Sequence, residues 1–158
     1  MSTDAPPEAV AIRATAIGVR AKLRPAGLTL LMLVPLAVVQ AVVDQPLLAP
    51  PLAASAALVA MTPNAPAARP LTLAAGHVLS VAAGFAAVLV LGSGPMAATI
   101  AAGLAVAAMA LAGRFHAPAV ASAVLVGATG APVAALALLA GALTIALFGS
   151  IPRLAPAR

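Results

Sequence analysis

In 158 residues the chain carries eight Lys or Arg, three Asp or Glu and two His, a formal charge of +5, and 64% of it is hydrophobic. Charged residues make up 7%, against about a quarter in soluble domains. No interior of this size hides so much apolar surface, so the solvent is lipid. With no Cys, Trp or Tyr, the chain lacks disulfides, thiolate metal ligands, an interfacial aromatic belt and the stacking platforms of single-strand nucleic-acid binders. The basic charge points to membrane orientation and not to nucleic acid. Half of the basic residues lie between Arg13 and Arg24, just before the first long apolar run, where positive charge sets topology.

Residues 1–24 read as a basic polar leader. Asp4, Pro6, Pro7 and Glu8 resemble a helix start, and Ile12, Ala16, Val19 and Leu23 then share one face. An interfacial amphipathic helix and a basic tail both fit. The first apolar run, Ala26 to Val43, ends at Asp44-Gln45-Pro46 and contains Pro35. A secretory signal is the rival reading, but 18 apolar residues match a span better than a signal core. Three more long runs follow, Leu71 to Leu91, Met96 to Ala112 and Val133 to Phe148, with the turn GSGP between the first two. Two shorter runs lie between them, Leu52 to Met61 behind Pro50-Pro51 and Ala119 to Ala128 behind Pro118. Ten residues of helix rise only about 15 Å, half the hydrocarbon thickness, so these segments read as broken or half helices.

The short runs resemble each other at an offset of 67: LAPPLAASAALVAMT over FHAPAVASAVLVGAT matches at seven of fifteen positions. Pro51 with Pro118, Ser55 with Ser122 and Thr62 with Thr129 carry the signal. The expected fold is an all-α integral membrane protein of four long transmembrane helices plus two short proline-led helices. They form a two-fold repeat of long, short, long, about 26–91 and 96–148, within a transmembrane domain at 25–150 and before a basic tail at 151–158. If all six segments cross, the second repeat is inverted and every Lys and Arg falls on the cytoplasmic side. If the short ones dip in and return, four helices cross and Arg69 and Arg114 lie outside. Charge favours six crossings and segment length four.

The stretch PPLAASAALVAMTPNAPAARPLTLAAGHVLSVAAG followed by GRFHAPAVASAVLVG resembles the HPP family of small integral membrane proteins, named for a His-Pro-Pro motif. Pro50, Pro51 and Ser55 match its first element, and Pro63, Pro66 and Pro70 its proline-punctuated loop. Gly76, His77, Leu79 and Ser80 match a helix start, and His116 with Pro118 the naming motif. Two positions depart: Ala117 replaces the first motif proline, and Ala53 stands where glycine is usual. The resemblance covers Ala26 to Phe148 and implies about four spans. It also implies transport of nitrite, the solute associated with some plant and cyanobacterial relatives.

The candidate solute-binding residues are His116, Pro118, His77, Ser55, Ser122 and Arg114. His116 precedes a proline-started helix whose free N–H groups favour an anion, and an imidazole there can donate a hydrogen bond or carry a proton. Alternatively it caps the loop by bonding a backbone carbonyl, with Arg114 marking the cytoplasmic face. His77, about seven residues into its run, lines a pore with Ser80 or bonds across to a neighbouring helix. Ser55 and Ser122 touch solute or bond back one turn. Two histidines 39 positions apart without an acidic partner make a poor metal site. No nucleophile with a base and no phosphate loop is visible, so neither a cofactor nor an enzyme is expected.

The expected function is a membrane permease or channel for a small inorganic anion, in a bacterial inner membrane with both termini cytoplasmic. The alternative is a non-transporting membrane module. The partners are the lipid bilayer, the anion and, through small-residue faces such as AAGLAVAAMALAG, a second copy.

Overall fold

A computed structural model describes the backbone of residues 7–43 and 49–151, and the side chains of 21–42 and 49–151. Six α-helices follow in order: α1 Pro7–Val43, α2 Pro50–Met61, α3 Pro70–Leu91, α4 Pro95–Leu111, α5 Ala117–Thr129 and α6 Pro132–Phe148. A 3₁₀ turn, Pro66–Ala68, lies between α2 and α3. Among the described residues there is no strand. The two short runs become α2 and α5, of 12 and 13 residues. The four long runs divide: Ala21–Val42 within α1 and all of α3, 22 residues each, are long and apolar enough to cross a membrane. Helices α4 and α6 have 17 residues each and rise about 25 Å.

Proline starts these helices. Each of α2 to α6 has proline at its first or second position, where a missing N–H costs nothing and φ is already helical. Glycine ends three of them, and two, Gly92 after α3 and Gly130 after α5, adopt φ of 72° and 63°, a conformation that L side chains resist. From Pro7 onward the leader and the first apolar run form one helix, with Pro25 and Pro35 inside it. The amphipathic face expected of the leader and the turn at Asp44 involve side chains outside the described residues, as does the basic tail beyond residue 151.

Paired contacts give the direction of every helix. Gly76 and Gly84 of α3 meet His116 and Val126 of α5 in the same order, so these two run parallel. Leu52 and Val59 of α2 meet Gly141 and Gly149 around α6, also in order. Met109, late in α4, meets Gly76 early in α3, and Ala97, early in α4, meets Gly127 late in α5. One end of the bundle gathers Arg24, Asn64, Arg69 and Gly149 around a single cleft, and Arg69 and Arg114 around a second. The opposite end carries the turn at Gly94, whose N–H donates to Gly127. The six helices therefore alternate in direction, and α2 and α5 begin at opposite ends. Their N-termini do not converge on one point.

The outside is apolar: Leu89, Val90 and Leu111 are more than four-fifths exposed, and Leu30, Val34, Val38 and Val42 line the open face of α1. A helix with leucine and valine on its outward face is matched to hydrocarbon and not to water. Inside, two packed clusters differ in kind. One, centred on α1, α2 and α6 and reaching Leu73 of α3 and Val126 of α5, sets Met32, Leu36, Leu52, Leu138 and Ile145 among alanines. The other, where α3, α4 and α5 meet, is almost all alanine.

Candidate functional site

Where these clusters meet, five polar side chains are wholly buried, and four of them, Ser55, His77, His116 and Ser122, hydrogen-bond to one another. Ser55 sits at the middle of α2, His77 two turns into α3, Ser122 in the second turn of α5, and His116 at the N-cap of α5. Seven residues of α3 precede His77, so the group lies about 10 Å below the arginine-bearing end. Gly76 makes the approach possible, because a Cβ there would stand 2.8 Å from the His116 Cβ. Any larger residue would push the start of α5, and His116 with it, away from α3.

The four side chains form one hydrogen-bonded group. Ser55 Oγ lies 3.0 Å from His77 Nε2 and 2.9 Å from His116 Nε2. His77 Nδ1 lies 2.9 Å from Ser122 Oγ, and His116 Nδ1 donates to the Ala67 carbonyl at 2.7 Å. Ser55 Oγ is also 2.8 Å from the Pro51 carbonyl one turn back. The imidazole rings stand 5.5 Å apart at 50°. His77 is thus clasped by the two serines that the 67-residue offset pairs. Thr62 and Thr129, the other matched pair, both bond to the carbonyl four residues back, at Leu58 and Leu125.

Of the six residues singled out in the sequence, the structure brings four together. Pro118 is the second residue of α5 and only partly buried. Arg114 is also partly exposed and lines the second cleft with Pro66, Arg69 and Thr72. Neither joins the hydrogen-bonded group. Ser80, one turn beyond His77, is fully buried, and its hydroxyl has no partner. His116 bonds a loop carbonyl through one ring nitrogen, as its alternative reading expected, and enters the polar group through the other. His77 bonds across to neighbouring helices. Ser55 lies against the carbonyl one turn back, at Pro51, as its alternative reading expected, whereas the acceptor Ala67 was not legible, because every residue carries a carbonyl. The proline-punctuated loop around Pro66 was the only sign that its backbone is fixed.

The first turns of both short helices are internally engaged: Leu52 N–H donates to Ala49 and Ala119 N–H to His116. No group of three metal-ligating side chains occurs among the described residues. The arrangement can hold, orient and redistribute protons, because each imidazole has one nitrogen on a serine hydroxyl and the other on a further oxygen.

A chain whose described residues are all helix, turn or loop, with a lipid-matched exterior and a buried polar cluster between its helices, is a multi-helix membrane protein. The family described as HPP, transmembrane region, matches residues 15–156, and the chain belongs to it. No curated protein and no solved structure matches the chain.

Proposed function

We propose that this protein is a permease or channel for a small inorganic anion, nitrite by its family resemblance, with His77, His116, Ser55 and Ser122 forming the closed gate. The observation that carries the reading is that four costly polar side chains from three helices and a helix cap converge inside an apolar bundle. Packing alone does not require them, since apolar side chains, alanine with Met109, serve the rest of that seam. Arg69 and Arg114 stand above the group at the end where the solute enters, and the unpartnered Ser80 hydroxyl lies one turn deeper. The chain has no part in covalent chemistry on this reading and is not an enzyme.

The alternating helix directions favour six crossings and an inverted repeat, with the arginine-bearing end cytoplasmic in a bacterial inner membrane. Helices α2 and α5 are then matching crossings of the two repeats, and each contributes a serine to the polar group. Self-association through the alanine-rich α4 belongs to the same proposal.

One observation favours the non-transporting module: the four side chains satisfy each other, and the two clefts are lined by other residues. Nitrite-driven swelling of proteoliposomes separates the readings. Flux above protein-free vesicles that falls at least tenfold in the His77→Ala, His116→Ala double variant supports the permease. Equal flux in that variant removes the site, and no flux at all leaves the module.

A further inference from the structure

The buried group contains a proton count that its heavy atoms fix. The Ala67 carbonyl can only accept, so His116 Nδ1 carries a hydrogen. In a neutral imidazole Nε2 is then a bare lone pair, and it faces Ser55 Oγ at 2.9 Å, so the Ser55 hydroxyl must donate to it. That uses the one hydrogen Ser55 has. His77 Nε2, 3.0 Å from the same oxygen, must therefore donate to Ser55, which leaves His77 Nδ1 to accept from Ser122. The neutral state is a single directed chain: Ser122 to His77 to Ser55 to His116 to Ala67. One close contact remains without a hydrogen, Ser55 Oγ against the Pro51 carbonyl at 2.8 Å.

Exactly one added proton completes the set. Placed on His116 Nε2, it makes an imidazolium that donates to both Ala67 and Ser55. Ser55 then turns its hydrogen to Pro51 and accepts from both histidines, and no heavy atom moves. A second proton on His77 would set two cations with ring centres 5.5 Å apart, where their repulsion is strong in an apolar medium.

We infer that the His77–Ser55–His116 group takes up one proton and never two, and that this proton travels with one monovalent anion, making permeation electroneutral. The inference rests on the permease reading and names its coupling. The charges around the group support it. Helices α2, α4, α5 and α6 and the 3₁₀ turn present no titratable side chain to it, α3 presents His77, and the cations nearest in sequence are Arg69 and Arg114. The only acids in the chain, Asp4, Glu8 and Asp44, lie outside the described side chains. Among the described residues an imidazolium has no carboxylate beside it, and a charge inside a bilayer needs a partner. The solute supplies it.

Two measurements test this. In the full-length protein labelled with ¹⁵N-histidine in lipid, solid-state NMR reads the tautomers directly. The expected result is His116 protonated at Nδ1 and His77 at Nε2, with one imidazolium signal, lost in His116→Gln, appearing on acidification. Identical tautomers, or two histidines charging together, would overturn the proton count whether or not the protein transports. In proteoliposomes given a nitrite gradient and a potassium–valinomycin clamp, nitrite flux is expected to be unchanged across the clamped range and to carry one proton per ion. His116→Gln, which can bond but cannot be protonated, is expected to lose proton uptake at least tenfold. A flux that follows the potential would overturn electroneutral coupling while leaving the permease. Absence of flux in the wild-type protein would remove the permease and the coupling together, and the tautomer result would then describe a structural proton site.

Discussion

The two halves of this bundle are packed by opposite means. Around α1, α2 and α6 the core interleaves alanines with Met32, Leu36, Leu52, Leu138 and Ile145, side chains long enough to stand between the helices. Where α3, α4 and α5 meet, Ala97, Ala101, Ala105, Ala119 and Ala123 bring backbones together with almost nothing between them. In lipid the first mode gains little from burial, because hydrocarbon outside is as apolar as leucine inside. Close backbone contact is what holds helices together there. The alanine side should therefore be the rigid half and the leucine side the yielding one, with the polar group spanning the boundary between them.

The largest effect expected is at Gly127. An added Cβ would lie 2.8 Å from the Ala97 carbonyl oxygen and 2.8 Å from the Ala98 Cα, both backbone of α4, and neither can turn aside. The Gly127 carbonyl also accepts from Gly94 N–H, so separating the helices costs that bond as well. Gly127→Ala is expected to lose about 3 kcal/mol of stability, measured by reversible unfolding in mixed micelles. A loss below about 1 kcal/mol would show that the alanine side is no stiffer than the other.

Next comes the boundary. Ser55→Ala strands His77 Nε2 and His116 Nε2 together, at an expected cost of about 2 kcal/mol. Ser122→Ala strands only His77 Nδ1 and is expected to cost about 1 kcal/mol. The ratio is the sharper measurement. Equal losses would mean that the two serines act independently and that Ser55 is not the hub, which would also undercut the proton count.

This hub explains what the sequence could and could not disclose. Prolines 50, 70, 95, 118 and 132 begin helices, and apolar runs filled them, so the elements were legible from chemistry that acts within a few residues. His77, His116, Ser55 and Ser122 stood out because polar residues are rare in such a chain. Their convergence was hinted by the matched offset of Ser55 and Ser122, but the bonds themselves depend on Gly76 letting α3 touch the start of α5. Nothing local to Gly76 announces that contact. The same holds for helix direction: charge favoured six crossings and length favoured four, and only contacts distant in sequence, such as Met109 against Gly76 and Ala97 against Gly127, give the alternation. Arg114 and Pro118 stand outside the hydrogen-bonded group for a related reason, since adjacency to His116 along the chain does not bring a side chain inward where the backbone is turning.

The smallest effect expected is at Gly141, and it is the most direct test of the leucine side. A Cβ there would run into the Leu52 Cδ1, a closer encounter on paper than at Gly127. The obstructing atom, however, is the tip of a side chain that can change rotamer, and its neighbours Leu138 and Ile145 are no more fixed. Replacing a helical glycine by alanine also favours the helix by about 0.5–1 kcal/mol, through the freedom that alanine denies the unfolded chain. Gly103, exposed and with nothing within 4 Å of its would-be Cβ, isolates that helix term. The expected outcome is that Gly141→Ala falls within about 1 kcal/mol of Gly103→Ala on the same unfolding scale. If Gly141→Ala matches Gly127→Ala instead, Leu52 is locked, the two halves are equally stiff, and α2 cannot shift against α6 to open the polar group.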